Sequence, residues 1–107
     1  MDHIHDEILR KNSKFLKENM QMDGLPEKMM EKKLFSPKMV DEVKSKESQS
    51  EQVLTFLTVL RRRGSKSFDV FIECLKESSQ IEVVDRLESS LEMNHVEQVH
   101  KWNQHFT

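Results

Sequence analysis

Turn chemistry is nearly absent from this chain: its 107 residues include two glycines, two prolines and no tyrosine. A β-sandwich or barrel needs many tight turns built on such residues. Long alternations of β-branched residues are missing as well, so the fold class is all-α. Cysteine is scarce too. A single one, Cys74, excludes an internal disulfide. It lies within a helical apolar pattern, as a reduced structural thiol of a cytoplasmic protein would. The chain lacks an apolar run of the roughly 18 residues that a membrane span needs, and Met1-Asp2-His3-Ile4-His5-Asp6 is too polar for a signal peptide. Nor is there a surplus of charge. Nineteen acids against 17 bases leave a net −2, which predicts neither a nucleic-acid nor a membrane partner.

Apolar residues are 36% and charged residues 34% of the chain, a balance suited to a small bundle in which every helix keeps one wet face. The length supports one domain. The seven methionines fall mostly at core positions, where they pack adaptably.

The clearest pattern lies between residues 53 and 75. Val53, Phe56, Leu57 and Leu60 fall at i, i+3, i+4, i+7, and so do Phe68, Phe71, Ile72 and Leu75, each set forming one stripe on a helix. Between them Arg61, Arg62 and Arg63 complement a helix C-terminus, and Gly64 supplies a left-handed stop. Ser65 or Ser67 is then placed to cap the following helix.

Upstream, Asp2 caps a first helix reaching to about Met20. Ile4, Ile8, Leu9, Phe15, Leu16 and Met20 form its inner face, with a slip near Lys11-Asn12 that predicts a bend. Arg10, Lys14 and Lys17 recur on its outer face. Asp23-Gly24-Leu25-Pro26 breaks the chain and opens a second helix that turns Met29, Met30 and Leu34 inward. Ser36-Pro37 opens a short third helix with Met39, Val40 and Val43 inside and Asp41 and Glu42 outside. Ser48-Gln49-Ser50-Glu51 reads as a capping box for the fourth helix, and Ser79-Gln80-Ile81-Glu82 as one for a sixth, built on Ile81, Val84, Leu87 and Leu91. Six helices thus occupy residues 2–91. Residues 92–107, with Met93, Val96, Val99, Trp102 and Phe106, form an irregular stripe, which we read as a short seventh helix packed on the bundle in preference to a loose tail.

Leu60 through Arg63-Gly64, followed by Phe68, Phe71 and Leu75, resembles the core motif of the caspase recruitment domain (CARD), a death-fold family. Within that family the likeness is strongest to the prodomain of the initiator caspase recruited by the apoptosome. It rests on Lys33-Leu34-Phe35-Ser36-Pro37-Lys38-Met39-Val40, on Arg63-Gly64-Ser65, on Phe71-Ile72-Glu73-Cys74-Leu75, and on Met1-Asp2 with Ile8-Leu9-Arg10-Lys11. It covers residues 1–91, the expected CARD, and leaves 92–107 as a C-terminal helix or tail. The resemblance implies a six-helix antiparallel Greek-key bundle, no catalysis, no cofactor, and homotypic contact with CARD-containing proteins, self-association included. It also implies which residues make the contact. Basic residues of the first and fourth helices, here Arg10 and Lys11 on the first with Lys14 in the same patch, meet acids of the second and third, here Glu27, Glu31, Asp41 and Glu42. Ser13, Ser50 and Leu54 stand where further arginines are expected, so the basic half is incomplete. The ending at Trp102-Asn103-Gln104-His105-Phe106-Thr107 favours a CARD-only regulator or decoy of apoptotic or inflammatory signalling, virally encoded forms included. An excised recruiting prodomain of an initiator caspase or adaptor is the alternative.

Other constellations carry less. His95, His100 and His105 lie about 140° apart per step on a helix and share no face. A metal site would need His3 and His5 to meet that tail, and none is expected. Cys74 has no matched His and Asp pattern for nucleophilic work. A nucleic-acid module using Lys11, Lys14 and Arg61–Arg63 would lack both basic excess and aromatic platforms.

Overall fold

The computed structural model describes the backbone of residues 1–106 and the side chains of residues 1–93. It contains seven helices: α1 (His3–Lys11), α2 (Ser13–Asn19), α3 (Leu25–Glu31), α4 (Pro37–Lys44), α5 (Gln49–Arg61), α6 (Ser67–Glu77) and α7 (Ile81–Phe106). Because α1 and α2 are halves of one bent helix, these are the six helices expected.

The bend falls at Asn12, where the apolar pattern slips. Asn12 is buried, and its carboxamide is fully used. Nδ2 donates to the Ile8 carbonyl at 2.9 Å and to Ser90 Oγ at 3.0 Å, while Oδ1 accepts from Arg86 Nε at 3.2 Å. The break in α1–α2 is therefore held by α7. Arg86 continues over the ring of Phe15, 4.7 Å from its centroid, a cation–π contact on the other half of the bend.

Apolar periodicity explains the rest of the packing. Val53, Phe56, Leu57 and Leu60 of α5 and Phe68, Phe71, Ile72 and Leu75 of α6 are all buried. Phe56 lies between Phe35 and Phe71, with ring centroids 5.1 and 5.5 Å away. Helix α5 packs on α2, α4 and α6, while α6 also packs on α3 and α7. Ile8, Leu9, Leu16, Met20, Met29, Val40 and Val43 complete the core from the earlier helices. Gln80, also buried, clamps the link after α2: its side chain accepts from Gln21 N at 2.8 Å and donates to Gln21 O at 2.9 Å.

The caps divide into those expected and those not. Ser36 Oγ accepts from Met39 N at 3.2 Å, and Ser48 Oγ from Glu51 N at 3.2 Å, so both serines cap as predicted, although the Glu51 side chain does not return the bond of a full capping box. Ser79 does not open α7. It takes a left-handed φ of 59° just past the end of α6, where Ser79 N bonds Lys76 O and Gln80 N bonds Leu75 O at 2.9 Å. That six-to-one closure is a Schellman stop. Lys33 (φ 64°) closes α3 in the same way, through Leu34 N to Met29 O at 3.0 Å. The start of α7 shifts accordingly, leaving Ile81 exposed and burying Val83 beside Val84 and Leu87.

Helix α5 stops before the expected Gly64, with Arg62 as its cap and bonds from Arg62 N to Val59 O and Arg63 N to Leu60 O closing it; Gly64, with φ 107°, turns the chain two residues later. Neither Ser65 nor Ser67 caps α6. Lys66 holds the cap position with no side-chain bond, and the buried Ser67 donates its hydroxyl backward to Gly64 O at 2.8 Å.

Helix α7 runs without a break from Ile81 to Phe106, straight through the position where a separate seventh helix was expected to begin. The expected packing of Val96, Val99 and Trp102 lies outside the described side chains, as do His95, His100 and His105, from which no metal site was expected. Among the described residues no group of His, Cys, Asp or Glu could hold a metal ion, and no helix is long and apolar enough to cross a membrane.

Candidate protein-docking site

Helix α5 ends at Arg61, with Arg62 as its cap and Arg63 already in the turn, and the three consecutive arginines part there in three directions. Arg61 turns to α1, where its Nε and Nη2 grip the Asp6 carboxylate, the second bond at 3.1 Å. The Arg61 hydrogen bond holds the Asp6 carboxyl below its ordinary range, with Arg61, Arg10 and His3 charges adding to it against some desolvation. Nearby, the His5 ring stacks on Phe68 at 4.2 Å, so α1 is fastened to both helices of the corner. Arg63 turns to the end of α3 and donates Nε to Leu34 O at 2.8 Å. Arg62 remains exposed. Two of the three arginines are thus bonded within the fold.

On α5, Thr58 one turn and Leu54 two turns before Arg62 form an exposed ridge; Leu54 is 43% exposed. A shallow groove lies on each side. Arg10, Ser13 and Arg61 line one with Leu57, and Met39, Glu42, Arg62 and Arg63 line the other. Ser50 is exposed one turn earlier on the same helix. Where more arginine was expected, the surface offers an apolar crest.

The predicted basic residues are only partly gathered. Arg10 is exposed in its groove. Lys11 is exposed and forms an i, i+4 pair with Glu7 at 3.3 Å, a contact of small net worth. Lys14 is exposed on α2, beyond the Asn12 bend, and lines neither groove.

The predicted acids are on α3 and α4, which pack together. Glu27 is half-buried and bonds Lys44 Nζ at 3.0 Å. That bond, with the charges of Glu27, Asp41 and Asp23, raises the Lys44 ammonium above its usual range. Glu31 and Asp41 are exposed. Glu42 is exposed too, but faces α5 in the groove that holds Arg62 and Arg63. Lys32 leaves this face altogether and ties α3 to α6 through Glu73 at 3.0 Å and Glu77 at 3.3 Å.

Cys74 is fully buried in α6. Desolvation, with the charge of Glu77 next in size, pushes its thiol up to about 11. A thiol so protonated is a packing group, not a nucleophile.

Residues 6–90 match the family model of the caspase recruitment domain. The chain is similar to caspase-2 of Gallus gallus, 34% identical over 94 residues, which is 85% of this chain and 22% of that protein. It is similar also to caspase-9 of Homo sapiens, 31% identical over 96 residues, 88% of this chain and again 22% of the relative. It therefore spans about a fifth of the length of these curated relatives. The death-fold bundle, the family match over most of its length and the likeness to two caspases agree: the chain belongs to the caspase recruitment domain family, as a homotypic interaction module related to initiator-caspase prodomains.

Proposed function

We propose that this domain docks to other CARDs through complementary charged faces and, without catalysis, regulates caspase recruitment as a decoy or cap in apoptotic or inflammatory signalling in the cytoplasm. The observation that carries the docking reading is the outward presentation of Glu31, Asp41 and Glu42 on α3 and α4, opposite in charge to Arg10 beside the Leu54 crest on α1 and α5. Unlike faces on one chain permit head-to-tail contact as well as one-to-one pairing. Arg10, Lys11 and Lys14 form the basic side of the proposed contact, and Glu27, Glu31, Asp41 and Glu42 the acidic side.

Exposed pairs contribute roughly 0–1 kcal/mol each, so charge must act as a set, giving register and steering across the interface. Reversing Glu27, Asp41 and Glu42 together to lysine is expected to abolish capture by purified CARDs; reversing the exposed Asp41 and Glu42 alone should weaken capture while leaving the thermal melt nearly unchanged, since it spares the Glu27–Lys44 pair. Reversing Arg10 and Lys11 should matter less, because Ser50 and Leu54 already interrupt that side. Binding should weaken as salt rises past physiological strength, where the Debye length falls below about 8 Å. If the acidic triple variant binds as well as the parent, the contact belongs instead at Leu54 and the Arg61–Arg63 corner.

The alternative, a recruiting prodomain, draws support from the two relatives, both vertebrate caspases several times longer than this chain. Substoichiometric addition to a polymerising CARD separates the readings. A decoy or cap slows assembly; a recruiter seeds it.

A further inference from the structure

The corner between α5 and α6 holds a second kind of site. Arg62-Arg63-Gly64-Ser65 puts two guanidinium groups three and two residues before a serine, and the chain from Arg62 to Lys66 lies between helices and is exposed throughout. We infer that Ser65 is a phosphate acceptor for an arginine-directed serine kinase, and that the Arg61–Arg63 corner is a switchable surface.

The fold itself selects between the two serines of this loop. Ser67, two residues on, is fully buried, with its hydroxyl given to Gly64 O at 2.8 Å. Ser65 is exposed, past the positive-φ Gly64 that turns the chain. A kinase cleft must take its substrate in extended form. Here it needs to straighten only a short connection, with no residue of the core in it. Its acidic groups would read Arg62 and Arg63 by bidentate, charge-assisted bonds. Arg62 has no bonded partner among the described residues, and Arg63 need surrender only its Nε bond to Leu34 O.

The reaction is a phosphoryl transfer from MgATP. A bond forms between Ser65 Oγ and the γ-phosphorus as the bond from that phosphorus to the β,γ-bridging oxygen breaks. ADP leaves, and the hydroxyl proton passes to the kinase's catalytic aspartate and then to water. The product carries about −1.5 to −2 charge at neutral pH. Close in sequence to Arg62, Arg63 and Lys66, it offsets half or more of the corner's positive charge, next to the groove that Arg62 and Arg63 line with Leu54 and Glu42. The modification stands independently of the docking proposal; only its effect on CARD binding rests on that reading.

The test incubates the intact purified chain with MgATP and the catalytic subunit of a basophilic kinase, and locates phosphate by fragmentation mass spectrometry. One phosphate on Ser65 is expected. Ser65→Ala should lose it, Ser67→Ala should keep it, and Arg62→Ala with Arg63→Ala should slow incorporation at least roughly tenfold, the loss of a charge-assisted contact. A peptide spanning residues 58–68 controls for recognition. Phosphate found only elsewhere overturns the inference, as does an unmodified folded chain, whether or not the peptide is modified. Modification of Ser65 with unchanged CARD binding would leave the acceptor assignment intact and remove only its role in docking.

Discussion

The two breaks in this bundle are built in opposite ways. At Asn12 the chain bends inside the protein, and every polar atom of the side chain is bonded, two of the three bonds going to a helix more than 70 residues away. At Gly64 the chain turns in the open, with nothing within 4 Å of where a Cβ would stand. A buried break must satisfy its polar groups and so becomes a fixed joint. An exposed one is satisfied by water and can afford exposed charge and a reactive hydroxyl. Structure is concentrated at the first and accessibility at the second.

That contrast can be tested by stability. The reference is Phe71→Ala, which empties a fully buried site in the core; it should cost about 3–5 kcal/mol in chemical denaturation. Asn12→Ala comes next, at about 1–3 kcal/mol, because it removes all three side-chain bonds of a buried residue, two of which tie the bend to α7. A cost below that of a surface substitution would mean that the Asn12 joint is ornamental. Gly64→Ala should cost about 1 kcal/mol, from the positive φ alone, since there is no clash to add.

The smallest effect belongs to the ion pair near the open corner. The Asp6 carboxyl is held low by Arg61. A carboxylate depressed in the folded state adds stability in full above its unfolded value, near 3.8, and loses it as pH falls through the lower folded value. Asp6→Asn should therefore be less stable than the parent near neutrality by roughly 0–1 kcal/mol, both partners being part-exposed. The two melting curves should converge in acid. A gap that stays constant down to about pH 2 would show that the pair contributes through packing and not charge.

Much of this fold was legible because it is local. Apolar spacing located α5 and α6, Ser36 and Ser48 announced their helices, and the slip at Lys11-Asn12 announced the bend. What Asn12 bonds was not legible, since Ser90 and Arg86 are near only once the chain has folded. Ser79 misled because a serine followed three residues later by glutamate suits a helix start, whereas the preceding helix claimed Ser79 for its own stop. The candidate site was legible by residue type and less so by availability. Arg61, Arg63, Lys32, Lys44 and Glu27 look alike in sequence as surface charge, yet each has a partner in the folded chain.

The sealed thiol of Cys74 makes the molecule its own clock. With no exposed surface and a thiol pushed to about 11, it reacts with an oxidant or an alkylating reagent only during moments when α6 lifts from its neighbours. The labelling rate is then the open fraction multiplied by the rate of a free thiol. The domain thus rides out an oxidising burst for as long as it stays folded, and any modified Cys74 is the record of an opening.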